Sequence, residues 1–113
     1  MSLKLNRANS TGSVTIAVGA TTSNEIVLDG YAMGMVHLPA EWEGTTLTFM
    51  VSPTKSGTYV ALEDSAGNAV SLTVEASKAY ALPEALFGAP YAKLVAGSTQ
   101  TTTDTVIPVT LRG

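Results

Sequence analysis

Cysteine is missing altogether from this chain of 113 residues. Disulfides and thiolate-held metals are thereby excluded, and a reducing compartment, or a particle assembled in one, is the fitting environment. Charge is scarce as well: Asp, Glu, Lys and Arg make up 13% of the residues, against about 25% in an ordinary soluble domain. Histidine occurs once, as His37. No apolar run approaches the roughly 20 residues of a membrane helix, so no membrane partner is expected. Met1-Ser2-Leu3-Lys4 leads into polar residues, and no secretory signal is expected either. The net charge is −3, and phosphate neutralisation needs clustered Lys and Arg, so nucleic acid is not an expected partner. The length gives room for one core and one domain.

With ions so few, the polar surface must consist largely of Thr, Ser, Asn and Gly. Neutral hydroxyls cost far less to desolvate than ions, and the centres of protein interfaces are depleted of charge. The composition therefore suits a protein that adheres to other proteins, although Thr-rich strands are common in β proteins for other reasons.

Period-2 alternation recurs along the chain and sustained helical periodicity does not. Ser13–Val18 sets Val14, Ile16 and Val18 on one face. Glu25–Leu28 and Ala32–Leu38 flank the turn pair Asp29-Gly30. Thr46–Val51 groups Leu47, Phe49 and Val51, and Thr58–Leu62 and Ala69–Val74 enclose a turn-forming stretch from Glu63 to Asn68. Lys78–Leu82, Tyr91–Ala96 and Thr105–Leu111 complete the set. Eight or nine short, regularly spaced strands predict an all-β fold, an antiparallel β-sandwich of jelly-roll type. Pro108 lacks a ladder donor and predicts an edge strand or a bulge for the last segment.

Two segments break the alternation in the same manner. Leu38-Pro39-Ala40-Glu41-Trp42-Glu43-Gly44 and Leu82-Pro83-Glu84-Ala85-Leu86-Phe87-Gly88 both read as one short helical turn. Pro opens it, an acid follows, and Gly can close it with positive φ. They lie 44 residues apart, a hint that the halves of the sandwich are built alike; independent use of a common turn would give the same pattern. Residues 1–12 are polar and predict an extended N-terminal arm ahead of a domain spanning 13–113. The hydroxyl-rich segment from Gly97 to Asp104 predicts a long loop.

Catalytic constellations are wanting. His37 has no neighbouring ligand, no nucleophile elbow is present, and the carboxylate pairs Glu41/Glu43 and Glu63/Asp64 fall in turns where such residues are routine. The stretch from Asp64 to Asn68 lacks the alternating oxygens and terminal Glu of a calcium loop, and no Gly-rich phosphate cradle occurs. No enzyme activity, catalytic residue, metal or cofactor is expected. Trp42 and the tyrosines are of a type that stacks on sugars, but Trp42 lies where an apolar side chain would close the core.

The stretches Gly19–Leu28, Leu38–Trp42, Leu47–Ser52, Gly57–Val60 and Leu62–Asn68, within a pattern running from about Thr15 to Leu111, resemble a family of small virion proteins of tailed bacteriophages. The resemblance implies a jelly-roll protein that decorates the phage head and cements adjoining major capsid subunits, working in the virion after assembly in the host cytoplasm. It implies as partners the major capsid protein and further copies of the chain, as a dimer or trimer on a symmetry axis. The contacts expected under it are Lys4 and Arg7 as ionic anchors with Asn9 on the arm, and Thr101, Thr102 and Thr103 on the loop. A carbohydrate-binding module and a tail- or fibre-associated sandwich are the alternatives.

Overall fold

A computed structural model describes residues 9–113. Nine strands form two antiparallel sheets: β1 (Asn9–Ile16), β2 (Ile26–Val27), β3 (Met33–His37), β4 (Thr46–Ser52), β5 (Val60–Ala61), β6 (Ser71–Thr73), β7 (Ala79–Ala81), β8 (Tyr91–Ala96) and β9 (Thr105–Arg112). The first sheet has the order β1-β9-β3-β7; the second has the order β2-β8-β4-β5, with β6 also on β4. Apart from β5 and β6, consecutive strands alternate between the sheets, which is the winding of a jelly roll. Each of the nine predicted strands has its counterpart. The fold is the expected β-sandwich.

Alternation decides the layers. In β9, Thr105, Ile107, Val109 and Leu111 are buried while Val106, Pro108 and Arg112 face outward. In β4 and β8, Leu47, Phe49, Ala92, Leu94 and Ala96 point inward. The core between the sheets joins these to Ile16, Val36, Leu38, Trp42 and Leu86, among others.

The two Leu-Pro turns connect strands that pair with one another, β3 with β7 and β4 with β8. Val36 opposes Tyr80 on the β3–β7 ladder, and Phe49 opposes Leu94 on the β4–β8 ladder. A local two-fold axis through each opposed pair carries β3 onto β7 and β4 onto β8. The offset is 44 residues at the first axis and 45 at the second, because Ala89-Pro90 replaces the single residue Thr45 between turn and strand. Each turn lifts the chain from one sheet to the other, buries its leucine (Leu38, Leu82) and inserts an apolar plug (Trp42, Leu86). Each is closed by an equivalent bond, Trp42 N–H to the Pro39 carbonyl at 3.2 Å and Leu86 N–H to the Pro83 carbonyl at 3.1 Å.

The two turns differ from the expected pair of helical turns. Glu84–Gly88 is a 3-10 helix, but the chain after Pro39 makes only a single hydrogen-bonded turn. There the Glu43 N–H, which a continuing helix would use, donates to the side chain of Gln100 at 3.0 Å. Gly44 takes φ +107, the left-handed value glycine tolerates. Gly88 does not, and Ala89 leaves the second turn in extended conformation.

Two further expectations are corrected. Residues 9–12 belong to the sheet and not to an arm, since β1 pairs with β9 from Asn9↔Arg112 to Ile16↔Thr105. Ser10, Thr11 and Gly12 are exposed and contribute little burial, but β9 supplies a full ladder of backbone partners. Pro108 lies on β9, which is interior to its sheet and not an edge. The Ala32 N–H donates to the Arg112 carbonyl on the β3 side, and alternation turns the Pro108 nitrogen to that side too. The β3–β9 ladder runs from Val36↔Val109 to Met33↔Arg112, so the missing donor falls at the end of that ladder and interrupts none of its pairs.

The outer edge of the second sheet is interrupted. β5 pairs with β4 at Val51↔Val60 and Met50↔Ala61, and β6 resumes the same side at Thr48↔Ser71. The residues between form a hairpin held by Val70 N–H to the Leu62 carbonyl and the Glu63↔Ala69 bridge. At its tip the Asp64 carboxylate accepts from Ala66 and Asn68 N–H groups at 2.9 and 3.0 Å. Asp64 thus serves as a turn cap.

Candidate protein-binding face

The carboxylates are segregated. Of the nine Asp and Glu residues, eight lie in turns and loops and Glu84 opens the 3-10 helix, so none falls within a strand. Among strand residues the cations are Lys93 and Arg112, with His37 the only imidazole. The strands themselves thus contribute no negative charge to either outer face, although the whole chain is acidic.

The two outer faces differ in what covers them. Across the second sheet runs the loop after β4, which reaches Glu25: Ser56 N–H donates to its Oε2 at 2.8 Å and the Tyr59 hydroxyl donates to the same oxygen. The Lys93 ammonium sits 4.5 Å from the centre of the Tyr59 ring, a cation–π contact. The Tyr59 hydroxyl bond, chiefly, and the Ser56 bond hold the Glu25 carboxyl below its usual range. Burial, and next the adjoining Glu25 carboxylate, push the Tyr59 phenol above its ordinary value.

Nothing crosses the corresponding face of the first sheet among the described residues. Its outward positions are Thr11, Ser13 and Thr15 on β1, Val106, Pro108, Thr110 and Arg112 on β9, Met33, Met35 and His37 on β3, and Ala79 and Ala81 on β7. Met33 and Met35 are 51% and 41% exposed. A groove of about 440 Å³ runs beside them, lined also by Gly34, His37, Ala81, Leu82, Thr110 and Arg112. A Cβ at Gly34 would come within 2.8 Å of Leu111 Cδ2 and 2.9 Å of the Thr110 carbonyl oxygen, so a larger residue at position 34 would displace its neighbours. Methionine is a flexible apolar contact, and hydroxyls, alanine and proline add surface that is cheap to desolvate.

Of the loop residues expected to meet a partner, Thr101 and Thr102 make hydrogen bonds within the protein. Gln100, 1% exposed, accepts at Oε1 from Glu43 N–H at 3.0 Å and from the Thr105 hydroxyl at 2.9 Å. Its Nε2 donates to the carbonyls of Glu43 and Ser98 at 2.9 and 3.2 Å. Beside it the Glu43 carboxylate accepts from Thr101 N–H at 2.9 Å, from the Thr101 hydroxyl and from the Thr102 hydroxyl at 2.7 Å. The hydroxyls of Thr101 and Thr102 are therefore engaged by the protein itself, and Thr103 is exposed. Asn9 pairs with Arg112 at the margin of the open face, whereas Lys4 and Arg7 lie outside the described residues.

His37 stands outward on β3, and no group of three or more His, Cys, Asp or Glu side chains suited to a metal occurs among the described residues. Trp42 is 5% exposed and donates from Nε1 to the Gly44 carbonyl at 3.0 Å, which places it in the core and off the surface. The open face was not legible as a site beforehand. Its signal was the alternation of Met33, Met35 and His37 with Gly34 and Val36, which becomes a face only once β1, β9 and β7 are set alongside.

The Glu43 contacts give a pH prediction. The Thr102 hydroxyl first, then the Thr101 N–H, hold its carboxyl below the ordinary value, and Glu25 is shifted the same way. A group lowered in the folded state contributes stability above its unfolded pKa and loses it as pH falls through the folded value. Urea midpoints should therefore hold steady from neutrality to about pH 5 and fall below about pH 4. Glu43→Gln should have a lower midpoint at pH 7 and a shallower acid decline; an unaltered decline would assign that loss to other carboxylates.

No family model matches the sequence, and no curated protein matches it. Among solved structures, a crystal structure of a cupin domain from Bordetella pertussis Tohama I aligns with a TM-score of 0.43 and 13% identity, covering 98% of this chain and 86% of that one.

Proposed function

We propose that this chain is a structural protein of a phage virion, binding the major capsid protein on the head surface and cementing adjoining subunits. The observation that carries the reading is the open, carboxylate-free face of the β1-β9-β3-β7 sheet, with its exposed methionines and neutral hydroxyls. Such a face loses little hydration when covered, and it is presented by strands locked to a common core, so little ordering is required on binding. A subunit that binds the assembled shell and not its free components stabilises the shell by mass action. Specific contacts of this kind bury about 1,600 Å² in total, a demand that a four-stranded face and a neighbouring segment can share. Residues 1–8 precede β1 at the Arg112 end of the sheet, and their Lys4 and Arg7 add the cations proposed as anchors. The burial of Trp42 weighs against a sugar-stacking role for that residue.

Cryo-electron microscopy of the virions that contain the chain tests this reading. The expected map shows the jelly roll on the head with the β3–β9 face against the shell. Absence from the head, or density confined to the tail, overturns it. Removing residues 1–8 should leave the Asn9–Ile16 ladder, which β9 holds from Asn9↔Arg112 onward, and the thermal midpoint within about 2 °C of the parent, while head occupancy falls. Full occupancy after truncation would assign the contacts to the sheet alone.

A further inference from the structure

We infer that the groove beside Met33 and Met35 is a specific seat for an extended apolar segment of the protein partner that carries a carboxylate at the Arg112 end. The inference rests on the protein-binding reading and deepens it, by stating the chemistry of what is bound. The groove is floored by Met33, Met35, Ala81 and Leu82, with Arg112 at one end and His37 at the other. Arg112 is paired across the ladder with Met33, and His37 lies four residues further along β3. At 3.3 Å per residue the two ends are about 13 Å apart, the span of four or five residues of extended chain.

Charge selects the occupant. Arg112 is exposed, and the ion pair found among the described residues is elsewhere, between Glu75 and Lys78. No carboxylate occurs on β1, β3, β7 or β9, so the face offers its guanidinium no internal partner from the sheet. A guanidinium takes a carboxylate in two parallel bonds, which fixes direction as well as strength. The Met33 and Met35 side chains adapt to apolar groups of different shape. A second copy of this chain packed on the same face would oppose one carboxylate-free surface with another, which leaves Arg112 unanswered. An acidic, apolar strand of a different protein answers it.

The test uses the full chain, isotopically labelled, titrated with a five-residue acetylated peptide of alternating leucine and serine ending in an aspartate amide. A second peptide carries lysine in place of the aspartate. Shifts in the amide spectrum are expected at Met33–His37, Ala79–Leu82 and Thr110–Arg112, saturating in the millimolar range. The lysine peptide and Arg112→Gln should each weaken binding about tenfold, and Met35→Asp should abolish it with the rest of the spectrum unchanged. Equal binding of both peptides, shifts centred elsewhere, or no shifts at several millimolar overturn the inference. The same variants added to undecorated heads separate the two readings. Retained occupancy by Arg112→Gln and Met35→Asp removes the groove and leaves cementing in place; failure of the parent chain to bind heads removes cementing and leaves the groove to the titration.

Discussion

Phe49→Ala is expected to lower the unfolding free energy by about 4 kcal/mol, within the range measured for emptying a buried phenylalanine site. Phe49 is 1% exposed and faces Leu94, itself fully buried, at the local two-fold axis of the second sheet. β4 is flanked on both sides, by β8 and by β5 with β6, so the backbone has little freedom to close the void. The loss combines the transfer term of the missing ring with the unfilled cavity. Against a total stability of about 5–15 kcal/mol it is a large fraction. Urea denaturation should show the midpoint displaced with the slope preserved. Val60→Ala in the same sheet, where the side chain is 59% exposed, should stay within about 0.5 kcal/mol. Comparable effects of the two would mean that the core is not centred where the sheets meet.

Gln100→Ala is the second large effect, expected at about 3 kcal/mol because partners left unsatisfied in a buried place cost more than the bonds themselves contributed. The substitution strips the Glu43 N–H, the Thr105 hydroxyl and the Glu43 and Ser98 carbonyls of their common partner. The thermal midpoint should fall by about 10 °C. Thr99→Ala, exposed in the same loop, should leave it nearly unchanged. Gln100→Glu adds a sharper criterion. The carboxylate could still accept from Glu43 N–H and the Thr105 hydroxyl, but it would face two carbonyl oxygens in place of the amide it replaced. Burial and those oxygens would raise its pKa in the folded state. A raised value means stability retained at low pH and lost as pH rises through the folded pKa, so the deficit should be greater at pH 7 than near pH 5. A deficit independent of pH would mean that the side chain turns out to water.

Gln100 also marks the boundary of sequence reading. A polar residue within a run of Thr and Ser carries no periodic signal, and the segment reads as a solvated connection. Its role arises because the loop before β9 and the turn before β4 meet at one end of the jelly roll, 57 residues apart in the chain. The Thr101 and Thr102 hydroxyls, read as contacts for a partner, are drawn in by Glu43 for the same reason.

Alternation of apolar and polar residues, a local property with a period of two, was sufficient to place the strands, the fold class and the Leu-Pro turns, since each depends on neighbours a few residues away. The paucity of charge was equally legible. Tertiary structure alone decided strand order, the interior position of β9 with its Pro108, the inclusion of residues 9–12 in the sheet, and the open face that gathers Met33, Met35 and Arg112. Those depend on which backbones pair across long stretches of chain. A strand's own sequence states which side faces inward and leaves unstated what lies alongside it.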